Sequence, residues 1–139
     1  MASVIYDSFF DDLSKGNIDL DTDTFKSMLV TATYAENKKT HTRRSDVTNE
    51  VAATGGYSAG GSAVTFTVTK DATNDRQNAT YSNQVYSSST ITARKQVVYK
   101  SRGGASSADE LVCVNDFGSD VITTGGTFTV NGSTIRIQN

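Results

Sequence analysis

Apolar residues recur along this chain with two different periods, and the elements follow from them. Near the start, Ile5, Phe9 and Leu13 are spaced by four, with Tyr6 and Phe10 beside them. That spacing predicts an amphipathic helix over about residues 4–14, with Ser3 placed to cap its start and Gly16 its end. Residues 18–31, IDLDTDTFKSMLVT, then pass from alternating acidic and hydroxyl residues into the densest apolar run of the sequence. Strand side chains alternate between faces, so Phe25, Ser27, Leu29 and Thr31 point one way while Lys26, Met28, Val30 and Ala32 point the other. Both sets contain large hydrophobes. A strand of that kind belongs in the middle of a sheet covered on both sides, and this run is read as the central strand.

The rest divides at its polar and glycine-rich stretches. Residues 34–46, YAENKKTHTRRSD, hold five basic residues and no core candidate after Tyr34, which predicts a surface loop or projecting arm. Asp46, Val47 and Val51 allow a brief helix near 43–50. Residues 54–61, TGGYSAGG, place four glycines around Tyr57 and predict a turn or flexible crossing. After it, AVTFTVTK at 63–70 alternates Val64, Phe66 and Val68 with threonines, a strand with one buried face, and 71–78 reads as a loop. Further strands are expected at 79–86, at 90–100 with partners on both sides, and at 111–114, with a flexible loop at 101–109. Asn131-Gly132 sits between apolar runs at 127–130 and 134–137, the sequence signature of a two-residue turn, so the chain is expected to end in a hairpin over 127–137. The whole predicts a mainly β fold: an antiparallel β-sandwich or jelly-roll-like barrel with a short N-terminal helix, residues 1–139 forming a single domain.

Composition narrows the function more than the fold. With 13 basic and 15 acidic residues the chain has a formal charge of −2, which gives nucleic acid no long-range attraction. The run 38–44 also lacks an aromatic residue on which a base could stack. No long apolar run predicts a membrane span, and the N-terminus lacks the pattern of a secretory signal, so synthesis and assembly in a cytoplasm are expected. A single cysteine excludes an intrachain disulfide, and there is no cysteine and histidine spacing for zinc. Asp19, Asp21 and Asp23 resemble the opening of a calcium loop, but Thr24 replaces the glycine and Val30 the closing glutamate that such a loop requires. They are read as a solvated lead-in to the strand, and neither metal nor cofactor is expected.

Catalytic chemistry finds little to build on. His41, the one histidine, has no nucleophile or orienting acid in local sequence. Cys113 lies between two valines, as an inert core thiol would. No serine occupies a nucleophile elbow, and no glycine-rich loop leads into a phosphate-binding lysine. The chain is therefore not expected to be an enzyme. The candidates that remain are contact residues: Lys38, Lys39, His41, Arg43 and Arg44 for docking on an acidic protein surface, and Tyr57 as either a core plug or an exposed interface anchor.

Six segments taken together carry a resemblance: DTDTFKSML at 21–29, THTRRSDVTNEV at 40–51, GGYSAGG at 55–61, SSSTITAR at 87–94, VVYK at 97–100 and DFGSD at 116–120. In this order they resemble a family of small structural proteins of tailed bacteriophages, the capsid decoration or cement proteins that bind the outside of an expanded icosahedral head. The resemblance spans nearly the whole chain. Ser27 departs from it, standing where the family has an apolar residue. It implies a virion protein that stabilises the shell, assembled in the host cytoplasm, with the major capsid protein as partner, self-association into a dimer or trimer, and no catalytic residues. The N-terminal helix region, the 38–44 arm and the loop around Tyr57 would carry the contacts. Rival readings are a tail or neck protein and a carbohydrate-binding virion module, the last weakened by the absence of tryptophan and of an aromatic platform.

Overall fold

The computed structural model describes residues 3–138. In chain order the elements are β1 (Val4–Ile5), α1 (Asp7–Ser14), β2 (Phe25–Val30), β3 (Ser62–Val64), β4 (Phe66–Asp71), β5 (Arg76–Tyr81), β6 (Gln84–Ser89), β7 (Thr92–Lys100), β8 (Leu111–Ile122), β9 (Gly126–Val130) and β10 (Thr134–Gln138). One sheet has five strands in the order β1-β8-β7-β2-β3; β10-β5-β4 and β6-β9 form two smaller sheets, and every pairing is antiparallel. The fold is mainly β and sandwich-like, with one short N-terminal helix, as the periodicities predict.

The alternation along β2 organises the layers. Phe25 joins a cluster with Val98 of β7 and with Phe66, Ala79, Tyr81 and Ile135 of the three-stranded sheet, while Leu29, on the same face, packs with Ala93, Tyr86, Phe128 and Val130 beneath β6 and β9. Both smaller sheets thus cover one face of the large one. Between these two apolar clusters sits Ser27, fully buried and hydrogen-bonded to Gln84; the Gln96 amide donates to Ser27 Oγ at 2.8 Å and to Gln84 Oε1 at 3.0 Å. The serine fills that position with hydrogen bonds. It joins a polar bridge across the sandwich whose members satisfy one another, the condition under which buried polar groups are tolerated. On the opposite face, Met28 and Val30 pack with Val97, Tyr99, Leu111 and Val114 under Tyr6 and Tyr34. The middle position belongs to β7, not to β2 as expected from the sequence, because β7 bonds along its length to both β2 and β8. Residues 18–24 are not extended: the Asp19 N–H donates to Asp23 Oδ2 at 2.7 Å and the Asp23 N–H returns to the Asp19 carbonyl at 3.0 Å, closing a turn.

Five boundaries differ from the expected ones. The helix begins at Asp7, because Val4 and Ile5 are taken up as a strand opposite Val114 and Cys113, and Ser3 bonds to Asn115 and Asp116 instead of capping. Gly16 does end the helix region with a left-handed φ of 77°. The run AVTFTVTK is not one strand: the chain changes sheets at Thr65, so Val64 pairs with β2 and Phe66 with β5. The expected loop at 71–78 shrinks to a tight connection between β4 and β5, and 79–86 is shared between β5 and β6. The strand expected at 111–114 continues to Ile122.

The C-terminal hairpin over 127–137 is absent as well. β9 pairs with β6, β10 pairs with β5, and neither pairs with the other. Asn131-Gly132 is a crossing between two sheets beside the matching crossing at Ser82-Asn83, with the Tyr81 N–H on the Ser133 carbonyl at 3.0 Å and the Gly132 N–H on Asn83 Oδ1 at 2.7 Å. Glycine is needed there for another reason than turn geometry: a Cβ on Gly132 would collide with the Tyr81 carbonyl.

Candidate docking face

The basic stretch does not project; it lies against the sheet. Tyr34 is buried at one end, and the backbone of the stretch is bonded to the body at several points: the Asp7 N–H to the Lys38 carbonyl at 2.9 Å, the Leu111 N–H to the Thr42 carbonyl at 3.3 Å, and the Arg44 N–H to the Asp109 carbonyl at 2.9 Å. A single turn of 3-10 helix, Arg44–Asp46, replaces the brief helix expected near 43–50. Asp46 Oδ2 accepts the N–H groups of Thr42 at 2.8 Å and Arg43 at 3.0 Å. Those two donors hold its carboxyl below the usual carboxylate range.

The candidate residues separate into two groups. Lys38 and Lys39 are exposed at the tip of the loop. Arg43 is turned inward, with Nη1 3.2 Å from Asp12 Oδ2, and Arg44 Nε lies 2.7 Å from Asp109 Oδ2; the two aspartates are 5% and 1% exposed at the side chain. Both arginines are therefore clamps that neutralise buried carboxylates, and removing one would strand a charge. His41 is half-buried, its ring stacked on Tyr34 at a centroid distance of 5.8 Å.

Tyr57 resolves to the core plug of its two readings, so its place as an exposed contact residue is corrected. It is 3% exposed, packs on Tyr86, donates to Glu50 Oε1 at 2.7 Å and accepts the Leu29 N–H at 3.1 Å. Burial first, and the Glu50 carboxylate second, push its hydroxyl pKa up, which keeps it a donor. A tyrosine among glycines gave no indication of this: the partner that completes it, the Leu29 N–H on the edge of β2 beyond its pairing with β3, is remote in sequence.

The basic loop and the glycine loop nevertheless meet. The Arg44 guanidinium sits 5.0 Å above the Tyr99 ring, and the Tyr99 hydroxyl, pushed up to about 12 by burial, donates to the Gly60 carbonyl at 2.6 Å. Gly60 in turn donates its N–H to Glu50 Oε1 at 2.6 Å. With the Lys38 carbonyl on the first turn of α1, three segments distant in sequence are linked: the helix start and the basic loop over the second face of the sheet, and the glycine loop, which sends Tyr57 to the first. Tyr99 is the residue that sequence reasoning missed as their link; its place on the Lys95, Val97, Tyr99 face of β7 was the available signal.

Elsewhere ion pairs tie Arg76 to Asp71, Arg94 to Asp116, Lys100 to Asp23 and Arg102 to Glu110. Cys113 is buried and its thiol is pushed up to about 12 by that burial, which leaves it protonated and unreactive. Among the described residues no cluster of histidine, cysteine and carboxylate side chains could hold a metal ion, and no helix is long and apolar enough to cross a membrane. Comparison of the chain with protein-family models, with curated proteins and with solved structures gave no significant match.

Proposed function

We propose that this chain is a decoration protein of a tailed-phage head, binding the outer surface of the capsid lattice through the face built by the helix start, the basic loop and the glycine loop. The observation that supports the reading is that hydrogen bonds link those three segments around a bonded β core, with Lys38 and Lys39 left exposed at the tip of the basic loop. The resemblance of the six sequence segments supplies the partner class. A protein of this kind needs no reaction centre. It needs a stiff body, a surface complementary to a repeating subunit and many copies, since multivalent attachment converts weak contacts into firm retention. Binding only to the assembled shell then stabilises that shell by mass action.

Lys38 and Lys39 carry the electrostatic part of the contact. The double substitution Lys38→Ser with Lys39→Ser is expected to leave the fold intact and to weaken head binding roughly tenfold, equivalent to about 1.4 kcal/mol. Arg43→Ser or Arg44→Ser is expected to lower stability first, because Asp12 and Asp109 lose their counter-charges. Co-sedimentation of purified protein with expanded heads, alongside thermal unfolding of each variant, separates the two effects. Wild-type occupancy by the double lysine variant would remove the loop tip from the interface.

A further inference from the structure

The loop that covers the second face of the sheet is held by a hydrogen-bond chain with one titratable end. Tyr6 and Tyr34 hydroxyls lie 2.7 Å apart, and the Tyr34 hydroxyl lies 2.9 Å from Nδ1 of His41. Two phenols and one imidazole nitrogen form a satisfied chain in one polarity only: Tyr6 donates to Tyr34, Tyr34 donates to Nδ1, and Nδ1 carries no proton. The Asn37 N–H points at the same nitrogen from 3.4 Å, a second donor that requires an acceptor there. Tyr6 is fully buried, and among the described residues its hydroxyl has no hydrogen-bond partner other than Tyr34.

Protonating Nδ1 reverses the chain. The imidazolium N–H would donate to Tyr34, Tyr34 would donate to Tyr6, and the Tyr6 proton would be left without an acceptor in a buried site; the Asn37 N–H would face another donor. A buried donor left unsatisfied has given up water without gaining an acceptor, which disfavours the closed loop. Histidine is in general the side chain whose charge changes between about pH 5 and 8.

We propose that the 34–47 cover is a proton-operated latch, closed on neutral His41 and loosened when acid protonates Nδ1, which uncovers Met28, Val30 and Val97 on the second face of the sheet. Charges that face the imidazole do not replace the latch. Within the loop, Lys38, Lys39 and Arg43 oppose a cation while Asp46, already engaged by two backbone N–H groups, favours one. From β7, Lys95 lies under the Tyr34 ring at 5.9 Å and is paired with Glu36; from the N-terminal segment come Tyr6 and, at the start of α1, Asp7. Asp46, held low by its backbone donors, stays ionised through the window in which histidine titrates. The sign follows: the docked loop is fully secured at neutral pH and loses protection as pH falls toward 5.

Hydrogen exchange of the 34–47 amides, measured at pH 7.5 and pH 5 and corrected for intrinsic rates, tests this on the intact protein. Wild type is expected to lose protection there by about tenfold at pH 5, while β7 and β8 stay protected. His41→Asn keeps an acceptor oxygen near the Nδ1 position and cannot titrate, so its loop should show no acid response. Equal protection of the wild-type loop at both pH values would overturn the latch, as would an undiminished acid response in H41N. Should H41N fold poorly, an NMR titration of the wild-type imidazole decides the matter: its midpoint should coincide with that of the Asn37 and Thr42 amide shifts, and a different midpoint would overturn the proposal.

Discussion

Gly61→Ala is expected to destabilise this protein by about 4 kcal/mol, in the range reached only when a substitution meets a named structural conflict. Two conflicts coincide at Gly61. Its φ is +75°, where an L side chain is strained, and a Cβ there would land on the carbonyl oxygen of Ser27 and within 2.8 Å of the Met28 Cα. These are backbone atoms of β2 at its junction with β3, so no side-chain rotation relieves the clash; the two strands would have to part where Ser62 faces Ser27. Gly104 has open space around it and no positive φ, so Gly104→Ala is expected to be within about 0.5 kcal/mol of wild type. Urea denaturation of the two variants checks both values, and a mild effect at Gly61 would mean that the glycine loop does not pack on β2 as described.

The second large effect lies beneath the basic loop. Lys95 Nζ is 2.5 Å from Glu36 Oε2 with both side chains almost fully buried, 4% and 3% exposed, and it also donates to the Tyr34 carbonyl at 2.9 Å. Glu36→Ala would leave an ammonium in a site closed by Tyr34, and the expected loss is about 3–5 kcal/mol. Replacing both partners together, Glu36→Leu with Lys95→Met, removes the charge as well as its counter-charge and is expected to retain most of the wild-type stability. A double-mutant cycle by denaturant unfolding measures the coupling. If the double variant were as unstable as Glu36→Ala alone, the pair would be acting through something other than mutual neutralisation.

Much of the scaffold was legible in the sequence, and the failures share a cause. Side-chain alternation correctly marked β2 as buried on both faces and β7 as paired on both edges, since period and apolar content are local properties. What covers the second face was not legible. The covering stretch 34–47 is polar almost throughout and contributes little more than Tyr34 and Val47 to the apolar cluster, its remaining attachment coming from backbone bonds, the Tyr6–Tyr34–His41 chain, and Glu36, Arg43 and Arg44, whose charged partners lie elsewhere in the chain. Basic residues read as exposed for that reason. Asn131-Gly132 failed in the opposite way: a strong local turn signal was overridden because β9 and β10 each found a partner in a different sheet, β6 and β5, along a ribbon that bends from one small sheet to the other. The same bend divides AVTFTVTK at Thr65. For the site, exposure of Lys38 and Lys39 was legible, whereas the burial of Tyr57 depended on Glu50 and on the Leu29 N–H and could be seen only once those groups were placed.

The proposed role, decoration of a phage head, is tested most directly by the number of copies of this protein per major capsid subunit in purified virions, measured by quantitative mass spectrometry. A head decoration protein predicts a small whole-number ratio to the capsid subunit, corresponding to hundreds of copies per particle. A handful of copies, or copies that fractionate with tails after heads and tails are separated, would contradict that role and assign the protein to the tail or neck.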